Sequence, residues 1–203
     1  MHDPVGLPSS SQRDNVRCFM AVPMDGFRHT IEKTIHRLQE QFLNVKWVDP
    51  NHTHITLHFF GQIPRGDVTE LVKSIAPIVQ KSPPFRVSIR EVGFFPNPFK
   101  PHIVWLGVSG ETAKIITLQA EIENCLRVQG YPTEDRTFVP HITIGRCQKH
   151  KVVKRIGSDK NESDAIFQSE PEQLIRHLIL FESILTPQGA KYVPLETLHL
   201  SEE

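Results

Sequence analysis

His54-Ile55-Thr56-Leu57 returns almost unchanged as His141-Ile142-Thr143-Ile144. Successive side chains of a strand point to opposite faces, so each copy sets a histidine and a threonine on one face and two aliphatics on the other. The aliphatic pair anchors the strand in a core and leaves the polar pair on an open surface. Each copy follows a segment with helical periodicity and precedes a glycine, Gly61 or Gly145. The economical expectation is one unit used twice, two halves about a pseudo-twofold axis with both motifs facing a shared cleft.

The neighbouring segments support this. Residues 16–22 are rich in strand formers and end at Pro23, which has no N–H for a central ladder. Phe27, Ile31, Ile35, Leu38 and Phe42 trace one helix face, and residues 45–48 form a short strand before an Asp49-Pro50-Asn51 turn. Residues 54–60 read as a strand stopped by Gly61. Val68, Leu71, Val72, Ile75 and Val79 predict a second helix that Pro77 should kink or end. Residues 85–94 and 102–108 then read as an antiparallel strand pair. Ile115, Leu118, Ile122 and Cys125 or Leu126 give a third helix, with Gly130 just past its end. Strands over 138–144, 174–184 and 191–198 complete the pattern, the last two joined as a hairpin through Thr186-Pro187-Gln188-Gly189. Short links between consecutive strands favour antiparallel pairing, so the expected class is α+β.

The composition fits a single folded body. The chain has 203 residues, 38% apolar and 23% charged, enough for one domain with a buried core. Residues 1–15 hold no continuous apolar stretch and are expected to be a disordered leader, with the domain over 16–203. Twenty-three basic residues balance 23 acidic ones, so an anionic substrate must be held by a local site. Residues 146–155 carry five Lys or Arg and 159–172 five acids, which reads as a solvated connection. Cys18, Cys125 and Cys147 form no Cys-x-x-Cys pair, no secretory signal is expected from residues 1–15, and no run of about 18 apolar residues occurs. A cytoplasmic monomer is expected.

Two imidazoles and two hydroxyls across a cleft suit an in-line displacement at phosphorus. One histidine takes a proton from the attacking oxygen and the other gives one to the leaving oxygen, and an unperturbed value of ~6.5 lets histidine do either. Threonine hydroxyls hold the non-bridging oxygens where charge develops. The scheme needs no metal or other cofactor. His52, His54 and His58 share parity, but strand residues two apart are separated by ~6.6 Å, which suits tetrahedral zinc poorly.

The sequence resembles the 2H phosphoesterase superfamily, and within it the RNA 2′,3′-cyclic phosphodiesterases of the 2′-5′ RNA ligase family. Beyond the two motifs, the resemblance is carried by Arg17-Cys18-Phe19-Met20-Ala21-Val22-Pro23, Trp47-Val48, Phe59-Phe60-Gly61, Gly93-Phe94-Phe95-Pro96, His102 through Val108, Arg136 through Pro140, Leu180-Phe181-Glu182-Ser183, Gly189 and Tyr192. It implies two pseudo-symmetric lobes of antiparallel sheet backed by helices. It also implies hydrolysis of a 2′,3′-cyclic phosphate on a nucleoside or RNA end to the 2′-phosphate, with reversible ATP-independent 2′-5′ joining as a side activity.

Carried over residue by residue, His54 and His141 are the catalytic pair, with His141 activating water and His54 protonating the 3′ oxygen, or the reverse. Thr56, Thr143 and Arg146 hold the phosphate, and Phe59 lies against the nucleotide. Arg146 and Phe59 each follow their histidine by five residues, so strict alternation sends them to the opposite face unless a bulge turns them back. His58 stands where the family often has Arg, and even spacing puts it on the catalytic face. His102 reads as a packed or edge residue, and Trp47 and Trp105 as core aromatics. The residues also admit a non-catalytic RNA-end binder, or a 2H esterase acting on other cyclic phosphates or 2′-5′ linkages.

Overall fold

The elements follow the order β1 (Asn15–Pro23), α1 (Arg28–Gln39), β2 (Val45–Trp47), β3 (His54–Pro64), α2 (Val68–Lys81), β4 (Phe85–Phe95), β5 (Ile103–Gly110), α3 (Thr112–Val128), β6 (His141–Cys147), β7 (Gln173–Ile175), β8 (His177–Thr186) and β9 (Gly189–His199). They are those of a computed structural model that describes residues 14–42, 44–134, 136–147, 167, 172–187 and 189–202. Most of the leader over 1–15 and most of the charged connection after Arg146 lie outside the described residues. Asn15 itself already pairs with Pro64 in the sheet.

Among the described residues the strands form one nine-stranded antiparallel sheet in the order β7-β4-β5-β6-β3-β1-β8-β9, with β2 also pairing with β6. β1, β3, β8 and β9 make one lobe, and β2, β4, β5, β6 and β7 the other. The sheet is curled, and the lobes join where β3 meets β6.

Helix stripes and inward strand residues share one core. Ile31, Ile35 and Leu38 of α1, Leu71, Ile75 and Val79 of α2, and Ile115, Leu118, Ile122 and Leu126 of α3 are all buried, as their periodicity predicts. Each side chain of this size contributes about 1.5–3 kcal/mol when fully buried. Gly130, with φ +80°, follows α3 and lets the Tyr131 amide donate back to the Leu126 carbonyl at 3.0 Å.

Four details differ from the sequence reading. Pro77 lies inside α2 without ending it, because it sits on the exposed face where water can satisfy the carbonyl one turn earlier. Gly61 does not stop β3: it takes φ +70° within the strand, opposite Cys18. β6 begins at His141 instead of residue 138. The apolar run over 174–184 is two strands parted at Arg176, β7 pairing with β4 of one lobe and β8 with β1 of the other. Residue pattern could not show that change of partner.

Candidate active site

The two repeated tetrapeptides meet at the lobe junction. β3 and β6 share a single register pair, Ile55 with Ile142, both buried. Continued one residue either way, an antiparallel ladder sets His54 beside Thr143 and Thr56 beside His141. All four polar residues are half-buried on the open face, while Ile55, Leu57, Ile142 and Ile144 are buried beneath them.

Both strands then lose their alternation at the same step. In β3, Ala21 pairs with Thr56 but Met20 with His58, leaving Leu57 as an extra residue; in β6, Trp105 pairs with Thr143 but Val104 with Gly145, leaving Ile144 extra. Each bulge falls three residues after its histidine and shifts the faces by one. Phe59 and Arg146 are thereby turned out to the surface, while His58 and Gly145 go into the interior. The bulges thus resolve the parity objection to Phe59 and Arg146.

The histidines are oriented alike. Nδ1 of His54 lies 2.8 Å from the His52 carbonyl oxygen, and Nδ1 of His141 lies 2.7 Å from that of Val139. A carbonyl only accepts, so each Nδ1 carries a proton and each Nε2 is the lone-pair nitrogen of the neutral ring. Aromatic rings wall both sides. Phe19 lies 4.8 Å and Tyr192 5.3 Å from the His54 ring, centroid to centroid. Across the junction Phe95 lies 5.1 Å and Trp105 6.1 Å from His141.

These walls set the proton affinities. Desolvation, the largest influence, pushes His54 down to about 4; the carbonyl bond to His52 opposes this, while Arg146, His52 and His141 push further down. Desolvation also lowers His141, again opposed by its carbonyl bond. The influence of Arg146 on His54 ties that guanidinium electrostatically to the other motif. Phe59, 47% exposed, carries the Arg17 guanidinium 4.5 Å from its ring centroid, and Arg17 also donates to Ser183 Oγ at 2.8 Å.

Two expectations need correction. His58 is not on the catalytic face. It is buried, with Nδ1 2.7 Å from Glu123 Oε1 of α3, because the bulge at Leu57 reverses its side. It therefore cannot join His52 and His54 around a metal, and no group of three metal-binding side chains occurs among the described residues. Trp105 is no simple core aromatic either: it is half-buried beside His141 and stacks on Phe95 at 5.0 Å. Alternation with the buried Val104 and Leu106 was the legible signal. Trp47, in contrast, packs against the core as expected, and His102 is exposed but not at an edge, its backbone bonding to Phe95 on one side and to Cys147 on the other.

The fold is that of known solved proteins. It superposes on the crystal structure of TT0787 of Thermus thermophilus with TM-score 0.75, 23% identity, and coverage of 92% of this chain and 100% of that one. E. coli LigT complexed with 3′-AMP gives TM-score 0.72 and 21% identity over 93% of this chain and 100% of that one. A curled antiparallel sheet with two His-x-Thr strands meeting at one cleft defines a 2H phosphoesterase. The model of the 2′-5′ RNA ligase superfamily matches residues 27–165, and the chain belongs to that superfamily. It is 31% identical to the RNA 2′,3′-cyclic phosphodiesterase of Methanothermobacter thermautotrophicus over 91% of this chain and 99% of that one. Its identity to that of Aquifex aeolicus is also 31%, over 76% of this chain and 81% of the other.

Proposed function

We propose that this protein hydrolyses 2′,3′-cyclic phosphates on RNA ends or nucleosides to the 2′-phosphate, by paired-histidine acid-base catalysis and acting as a monomer. The observation that carries the mechanism is the matched Nδ1–carbonyl bond on each histidine, which fixes both tautomers at one cleft. One neutral imidazole takes a proton from water through Nε2 while the water oxygen bonds to phosphorus. The P–O3′ bond breaks, and the other imidazolium protonates the departing 3′ oxygen, leaving a 2′-phosphate and a 3′-hydroxyl. A 5′-hydroxyl of a second RNA in place of water gives the 2′-5′ joining reaction by the same steps.

His54, pushed down to about 4, is neutral by a wide margin at pH 7 and is assigned here as the base, with His141 as the acid. This is the reverse of the first assignment from sequence, which left both open. Thr56 and Thr143 hold the non-bridging oxygens and Arg146 supplies positive charge, stabilising the pentavalent transition state over the ground state. Phe59 offers its exposed ring to the nucleotide. All of these groups come from one chain. No helix among the described residues is long and apolar enough to cross a membrane, and the RNA substrate class supports a cytoplasmic site of action.

The test is turnover of 2′,3′-cyclic AMP in excess EDTA by wild type, His54→Ala and His141→Ala, with products resolved. Wild type is expected to form 2′-AMP, and each variant to lose about 10²- to 10⁴-fold in rate, the size of one proton transfer. Turnover surviving either substitution overturns the mechanism, and nucleotide binding without turnover by wild type supports the RNA-end binder instead.

A further inference from the structure

Next to the site, and bounded by His52, Arg146 and Tyr192, lies a cavity of about 490 Å³, within the ~300–1,000 Å³ range of small-ligand sites. Its walls come from β2 and the segment after it, from Arg146 of β6, and from the β8–β9 hairpin. Tyr192 is one of its lining residues, with its ring 5.3 Å from His54 and 5.9 Å from His52. A ligand held at the catalytic histidines thus has open space on one side, flanked by an aromatic face.

The charge of this space is one-sided. Lys46 is the register partner of Arg146, so the two cations share a face as direct cross-strand neighbours, a pairing that costs stability unless an anion comes between them. Lys191 adds a third cation from the hairpin. None of the three forms an ion pair among the described residues, although five such pairs occur outside the cavity among those residues. The ammonium of Lys46 extends across to the hairpin, where a Cβ placed on Gly189 would stand 3.7 Å from it. The one carboxylate of the lining, Asp49, already accepts from Asn51 N at 2.9 Å and Asn51 Nδ2 at 2.8 Å, with His52 at 3.8 Å.

We infer that this groove binds the phosphodiester on the 5′ side of the terminal nucleotide, so that the enzyme selects an RNA chain over a cyclic mononucleotide. The inference rests on the reading of the cleft as a cyclic phosphodiesterase site and adds a second anion site to it. Lys46 and Lys191 engage the upstream phosphate, and Tyr192 offers its ring to the base next to it. A mononucleotide has nothing to put there.

The test compares kcat/KM on 2′,3′-cyclic AMP and on a triadenylate ending in a 2′,3′-cyclic phosphate, at two salt concentrations. Wild type, Lys46→Gln, Lys191→Gln and the charge-retaining Lys46→Arg are used. Wild type is expected to prefer the triadenylate. Each glutamine variant should lower that value about 3- to 10-fold through KM, leave cyclic AMP within about twofold, and flatten the log–log salt slope by about 0.7 per lost charge. Lys46→Arg should keep the preference. Parallel changes on both substrates, or no change on the triadenylate, overturn the groove while leaving the phosphodiesterase reading intact. Wild type that turns over neither substrate overturns both.

Discussion

Ile55 and Ile142 face one another as the single register pair between β3 and β6, and both are buried. Each is the second residue of its His-x-Thr motif, so the polar neighbours are set in crossed pairs, His54 with Thr143 and Thr56 with His141. The one direct link between the two motif strands is therefore an aliphatic pair beneath the four polar side chains, while β1 and β5 hold the motifs from their outer sides.

Acid should weaken the fold and set the activity optimum through the same two imidazoles. An unfolded histidine titrates near ~6.5, whereas the folded His54 sits at about 4. Between these values the unfolded chain binds a proton that the folded chain refuses, so this component of stability is full above ~6.5 and is lost as pH falls toward about 4. Urea midpoints at pH 7, 5.5 and 4 should drop less steeply for His54→Gln than for wild type. With His141 lowered as well, kcat/KM should be bell-shaped with its maximum on the acid side of ~6.5. A flat profile from pH 5 to 9 would contradict the paired mechanism.

Gly93 should accept no side chain. It is the register partner of Trp105, and a Cβ there would meet the indole Cζ2 at 2.1 Å. Gly93→Ala displaces an indole that stacks on Phe95 and borders His141. The expected cost is about 1–3 kcal/mol of stability, as for overpacked sites, with a drop in turnover larger than any change in substrate binding. Denaturant midpoints and tryptophan emission report the two effects separately.

Breaking the His58–Glu123 pair from one side should be costly. The Nδ1–Oε1 distance is 2.7 Å with both side chains largely buried, and Gln119 Nε2 adds a donor to Oε1 at 3.2 Å. His58→Leu strands the Glu123 carboxylate and should cost about 3–5 kcal/mol, whereas replacing both residues by leucine should be near neutral. Urea unfolding of the two variants decides this; equal losses would refute it.

The repeated motif made the junction legible, because alternation in His-Ile-Thr-Leu and His-Ile-Thr-Ile tells which side chains face water. The three helix stripes were equally plain. What alternation could not reveal was where it stops. An extra residue at Leu57 or Ile144 leaves no mark in composition, since both are aliphatics as any core position would have. Hence Phe59 and Arg146 seemed to point the wrong way, and His58 the right one. The aromatic walls around the histidines, from Phe19, Phe95, Trp105 and Tyr192, come from three regions far apart in sequence, the first strand, the β4–β5 pair and the last strand, so only the assembled sheet brings them together.

The crossing at Arg176 bears on how the molecule is made. β1, the first strand among the described residues, is an interior strand held on one side by β3 and on the other by β8, which follows α1, α2 and α3 in the chain. Until β8 pairs with it, its outer edge is an unpaired ladder of apolar residues, the kind of edge that invites pairing with a second chain. Long-range closure of this sort is slow relative to local structure. Closure of the sheet around β1 thus depends on β8, the strand that covers this edge.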